Sequence, residues 1–221
     1  MNFEPEILTA AIFTCAVLHI LAEYKGAQRK IYLLKPLTML LIVFMGLSLL
    51  PEKLDWYHYA LLIGLLFSIG GDVALMWPSD KFMLGLVSFL TGHVFYISGL
   101  ISGIEFSLNW QVWVPLIILG SGMFLGLRSG LGRMQLPVLL YILVILIMSG
   151  TAWERHFQLE LPQTYFAVWG AALFILSDAL LAWNRFRVKF KSAQLFILGT
   201  YYTAQWALAI SLSQSAAVQV S

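Results

Sequence analysis

Apolar residues fall into eight runs, each near the roughly 20 residues that a helix needs to cross a hydrocarbon layer about 30 Å thick. The runs are 7–22, 33–50, 58–77, 82–102, 110–127, 134–152, 163–183 and 192–213. Polar residues lie between the runs and do not alternate with apolar ones inside them. That pattern excludes barrel strands, and backbone groups in lipid can then be satisfied only within helices. It predicts an all-α membrane protein, an eight-helix transmembrane bundle. The polar connections are short, so residues 1–221 are expected to form a single transmembrane domain.

Residues 1–6 carry two acids and no base, and no small-residue cleavage pattern follows, so the first run is expected to stay as a span instead of leaving as a signal. Composition agrees: 60% of the 221 residues are hydrophobic and 11% charged, against about 25% charged in soluble domains. A net charge of +2 leaves no basic footprint for nucleic acid, which is excluded as a partner. The single cysteine, Cys15, allows neither a disulfide nor a thiolate metal site.

Charge also orients the bundle, because short cytoplasmic loops collect Lys and Arg. The connections after runs one, three, five and seven hold Lys25, Arg29, Lys30, Lys81, Arg128, Arg133, Arg185, Arg187, Lys189 and Lys191, whereas the opposite side holds Lys53 and Arg155. Both termini are therefore expected on the non-cytoplasmic side of the cell membrane. Trp56, Tyr57, Trp77, Trp110, Trp113, Trp153 and Trp183 lie near run ends and read as interfacial anchors. Superposing Asp72 on Asp178 aligns residues 72–77 with 178–183 and Tyr96 with Tyr202, which suggests a parallel duplication of four helices.

An ionisable side chain deep in a membrane is costly, so those inside runs are functional candidates. Lys35, Asp72 and Asp178 qualify. At 1.5 Å per residue, all three lie about 8–9 Å in from the same side, which points to one polar cavity opening there. In the fourth run His93 and Tyr96 share a face, and Gly85, Gly92 and Gly99 form a packing stripe on the same helix. Tyr141, Tyr201, Tyr202 and Gln205 are further polar groups within runs. The histidines show no ligand spacing, and no phosphate loop or nucleophile elbow occurs, so neither a metal nor a cofactor is expected.

These residues resemble the YhhN-like family of integral membrane lysoplasmalogenases. The resemblance rests on Lys35-Pro36, Gly71-Asp72, Phe82-x-x-Gly85, Phe89-x-x-x-His93-x-x-Tyr96, Tyr141 with Met148, Phe174-x-x-Ser177-Asp178 and Tyr201-Tyr202-x-x-Gln205, in that order. It implies hydrolysis of the vinyl ether bond of a lysoplasmalogen, a membrane lysophospholipid, to a fatty aldehyde and a glycerophospho-ethanolamine or -choline. Vinyl ether hydrolysis needs an acid to protonate carbon and an anion to steady the resulting oxocarbenium ion, the division of labour used on glycosidic bonds. Asp72 and Asp178 are the expected catalytic pair. Lys35, His93, Tyr96, Tyr141, Ser177, Tyr201, Tyr202 and Gln205 are expected to bind substrate, with Lys35 on the phosphate. The competing reading is a small proton-coupled transporter using Asp72, His93 and Asp178.

Overall fold

Each apolar run is a helix in the computed structural model, which describes residues 4–105 and 107–213. The helices are α1 (Pro5–Tyr24), α2 (Gln28–Ser48), α3 (Trp56–Met76), α4 (Phe82–Leu100), α5 (Trp110–Leu131), α6 (Gln135–Leu159), α7 (Pro162–Phe186) and α8 (Ala193–Ser211), with a 3-10 turn at Gly132–Met134. Local signals set their ends. Pro5 and Pro162 occupy first turns, where the missing N–H costs nothing. Asp55 and His58 cap α3 reciprocally, and Asn109 Oδ1 accepts from the Gln111 N–H at 3.1 Å to open α5.

Among the described residues six stretches are long and apolar enough to cross a membrane, one of them the continuous Trp110–Leu159 that contains both α5 and α6. The expectation of eight spans is thus met in helices but not in apolarity, because α8 is not among these stretches. Gln194, Tyr201, Tyr202 and Gln205 make α8 more polar, and the last three are buried against other helices. Elsewhere the outer faces of the helices are apolar, with Leu33, Leu66, Leu84, Ile118, Leu125 and Trp169 exposed, as a lipid-facing surface requires.

The most extensive packing joins α3 to α4 and α7 to α8; α2 lies on α3, α6 on α7, α4 on α6 and α8 on α2. The α4 glycines are a packing stripe. Gly85, Gly92 and Gly99 approach the α3 carbonyls of Gly71, Gly64 and Tyr57 so closely that an added Cβ would stand 3.0–3.3 Å from them. In return Gly71 of α3 seats the Phe89 ring, where a Cβ would fall 2.6 Å from Cε2.

Although consecutive, α4 and α5 do not pack on one another. Their connection is pinned by the end of α6. Arg155 Nη1 donates to the carbonyls of Leu100 (3.3 Å) and Ser102 (2.7 Å), and Glu154 accepts from Ser107 Oγ (2.5 Å), the Asn109 N–H (2.9 Å) and Trp113 Nε1 (2.9 Å). This corrects two expectations. Arg155 is no loop residue, since α6 runs on to Leu159 with Glu154 and Arg155 buried. Tyr57 is no interfacial anchor: it is buried, bonded to Ser211 Oγ at 2.7 Å and covered by the Arg155 guanidinium at 4.3 Å.

Candidate functional site

Six helices build a cavity of about 630 Å³ at the end of the bundle where α1 joins α2, α3 joins α4 and α7 joins α8. Its mouth is polar, with Glu23, Gln28, Asn184, Arg185, Lys189 and Gln194; further in lie Lys35, Asp72, Ser177, Asp178, Tyr201 and the Phe89 ring. The three charged residues picked out by their depth in the sequence therefore share one space. Gly71 contributes by letting Phe89 lie against α3 beside Asp72, and Phe89 in turn meets Tyr201 edge-on, with centroids 5.9 Å apart.

The two carboxyls have different partners. Asp72 Oδ1 faces Lys35 Nζ at 3.3 Å, and Oδ2 accepts from the Tyr201 hydroxyl at 2.7 Å. Asp178 Oδ2 accepts from the Tyr141 hydroxyl at 2.5 Å, and no described cation pairs with Asp178. Asp72 is buried, while Asp178 is half-buried. A helix-holding ion pair would need only Lys35 and Asp72 and leaves Asp178 without a structural reason to be ionisable.

Asp178 also borders a second space, a narrow apolar slot of about 40 Å³. Phe82, Leu86 and Phe89 of α4, Met123 and Leu127 of α5, and Val138, Tyr141, Ile142 and Ile145 of α6 line it. It lies where α4 and α5 stand apart, with a carboxyl on its wall.

The remaining candidates stand behind this site. Ser177 lines the cavity and donates to the Ile197 carbonyl at 3.0 Å, tying α7 to α8. Tyr96 donates to Gln205 Oε1 at 2.9 Å, and Tyr202 meets His19 Nδ1 at 2.8 Å. His93 packs edge-on against Phe174 and Tyr141, with centroids 4.6 and 5.4 Å away. None of His93, Tyr96, Tyr202 and Gln205 lines either space. Sequence reasoning missed Glu23, Asn184 and Gln194, and it read Arg185 and Lys189 only as charges of a connection. It also missed His19, whose Nε2 is 3.4 Å from Glu23 Oε1; the i, i+4 spacing on α1 was the available signal. Among the described residues no three His, Cys, Asp or Glu side chains gather as a metal site.

A helical membrane protein with two carboxyls in one polar cavity, one of them also bordering an apolar slot, is thus defined by its own geometry. Comparison with known proteins then gives the family: the YhhN family model matches residues 30–212, and the chain belongs to that family. It is 31% identical over 219 residues to a pig (Sus scrofa) protein named lysoplasmalogenase TMEM86B, covering 94% of this chain and 87% of the relative. The human (Homo sapiens) protein of that name is 36% identical over 153 residues, 68% of this chain and 62% of the relative. The Escherichia coli O157:H7 protein described as uncharacterized membrane protein YhhN is 25% identical over 202 residues, 91% of this chain and 96% of the relative. No solved structure matches the chain. With several membrane-spanning helices and relatives described as membrane proteins, it is a multi-pass membrane protein.

Proposed function

We propose that the protein is an integral membrane lysoplasmalogenase, a hydrolase that cleaves the vinyl ether bond of lysoplasmalogens to a fatty aldehyde and glycerophospho-ethanolamine or -choline. One observation carries the reading: Asp72 and Asp178 share a polar cavity, and Asp178 also ends the apolar slot. A lysoplasmalogen has the same polarity, a charged headgroup and an alkenyl tail meeting at the vinyl ether. The names of the pig and human relatives support the same activity.

In this mechanism Asp178, whose partner is a neutral phenol, carries the proton, and Asp72, facing an ammonium, works as the carboxylate. Asp178 protonates the vinyl carbon remote from oxygen, and the C=C electron pair forms the new C–H bond, leaving an oxocarbenium ion. Asp72 steadies that cation and takes a proton from water as the water oxygen bonds to the cationic carbon. The hemiacetal then collapses: its hydroxyl gives its proton to Asp178, the C–O bond to glycerol breaks, and Asp72 returns its proton to the glycerol oxygen. One water is consumed and both carboxyls return to their starting states. Ser177, Tyr201 and Lys35 border the reacting end, while Tyr141 holds Asp178 from the slot.

The chain is further proposed to be a single eight-helix domain that crosses the membrane eight times with both ends non-cytoplasmic and the cavity mouth cytoplasmic. A parallel duplication underlies it. Lys35, Asp72 and Tyr96 recur after a shift of 106 residues as Tyr141, Asp178 and Tyr202, and the α2–α3, α3–α4 and α8–α2 packings have counterparts in α6–α7, α7–α8 and α4–α6.

The test is purified protein in detergent micelles given a lysoplasmalogen, its alkyl ether analogue and its ester analogue. Aldehyde should form from the vinyl ether alone, since the alkyl ether offers no carbon to protonate. Turnover without a sealed compartment also disposes of the transporter reading. Absence of aldehyde overturns the proposal, and fatty acid released from the ester at a comparable rate replaces it with a general lysophospholipase.

A further inference from the structure

The cavity mouth carries charges that the bond-breaking step leaves unused. Glu23, at the end of α1, lines it with a side chain 24% exposed, and its Oε1 stands 3.4 Å from His19 Nε2, which makes no hydrogen bond among the described residues. Two cations, Arg185 and Lys189, line it from the end of α7 and the turn beyond. They are not equivalent. Arg185 is engaged, donating to both Asp80 oxygens at 2.9 and 3.0 Å while its guanidinium lies 3.9 Å over the Phe82 ring and 5.8 Å from that of Phe186. The ion pairs among the described residues are His19–Glu23, Lys35–Asp72, His58–Asp55 and Arg185–Asp80, so Lys189 comes to the mouth without one.

We infer that this mouth is a headgroup subsite selective for a primary ammonium: Lys189 takes the lipid phosphate, and Glu23 takes the ammonium of phosphoethanolamine in preference to the trimethylammonium of phosphocholine. The inference rests on the cavity being a lysolipid site and goes further by setting its headgroup. Lys35 lies deeper and faces Asp72, so the outer cation is the one placed for a phosphate beyond the glycerol. A carboxylate gains charge-assisted hydrogen bonds from the N–H groups of a primary ammonium. A quaternary ammonium has no N–H to offer and is ordinarily held by aromatic faces. At this mouth Arg185 already lies over the Phe82 face and near Phe186, and the other rings of the cavity, Phe89 and Tyr201, lie further in, so the carboxylate is the discriminating group at the mouth.

Binding of non-cleavable alkyl ether lysolipids in maltoside micelles, measured by calorimetry, tests this directly. The headgroups are phosphoethanolamine and its N-methyl, N,N-dimethyl and N,N,N-trimethyl forms. Wild-type affinity should fall along the series, by about tenfold overall for the hydrogen bonds lost to a charged group. Glu23→Gln should flatten the series, and Lys189→Gln should weaken all four lipids while keeping the slope. Equal wild-type affinities, no binding of any of the four, or a slope that survives in Glu23→Gln overturns the inference. The wild-type series alone decides if Glu23→Gln does not fold. Aldehyde release separates the two readings: a sloping series without aldehyde keeps the headgroup subsite and removes the lysoplasmalogenase, whereas aldehyde with a flat series does the reverse.

Discussion

Lys35 of α2 puts an ammonium against Asp72, whereas Tyr141 of α6 puts a phenol against Asp178. On the proposed reaction that single difference splits two equivalent carboxyls into a base and an acid. Asp72→Asn and Asp178→Asn should each lower kcat at least about 10²-fold, the lower scale for a positioned proton-transfer group, with elution as a folded species as the control. Near-normal turnover in either variant removes that residue from the chemistry. Lys35 was expected from the sequence to hold the phosphate, which would move KM. Its contact with Asp72 instead makes Lys35→Ala a kcat variant, and separate kcat and KM values distinguish the two roles. Losing one partner of a buried pair costs about 3–5 kcal/mol. The double variant Lys35→Ala/Asp72→Asn should therefore melt at a higher temperature than Lys35→Ala alone.

At the scale of helices, the apolar runs were legible because lipid leaves the backbone no alternative to a helix. Depth was legible too, since 1.5 Å per residue places Lys35, Asp72 and Asp178 at one level. Neighbour relations were not. Nothing in the runs announces that α4 lies on α6 and apart from α5, because lipid-facing and helix-facing apolar residues look alike. A polar residue near a run end also misled: Arg155 reads as a base of the far-side connection, but it and Glu154 are buried partners of the α4–α5 connection. The slot followed from that unseen neighbourhood. Met123→Trp should fill it, so KM for a long-chain lysoplasmalogen should rise several-fold more than KM for a short-chain one. An equal effect on both chain lengths would place the tail elsewhere.

For the whole molecule, with Arg155 buried, the exposed basic residues divide ten to one, Lys53 alone remaining on the far side. In a Cys15→Ser background, Ser79→Cys between α3 and α4 should be protected from an impermeant thiol reagent in intact cells, and Glu52→Cys between α2 and α3 should be labelled. The reverse pattern inverts the proposed topology. The gap between α4 and α5 changes along its length. Where α4 ends and α5 begins, Arg155 and Glu154 bind the connection from Leu100 to Asn109. At the other end Leu86 and Met123 face the slot and no helix packing joins them. The pair resembles a tweezer, clasped at the tip of its handle and unjoined at its jaws. A lipid tail could then enter sideways from the bilayer without disturbing either tightly packed pair, α3 with α4 or α7 with α8. Bridging Leu86→Cys to Met123→Cys with a short cross-linker in the Cys15→Ser background should clamp the jaws and stop turnover of membrane-embedded substrate, with a reducible linker restoring it on reduction.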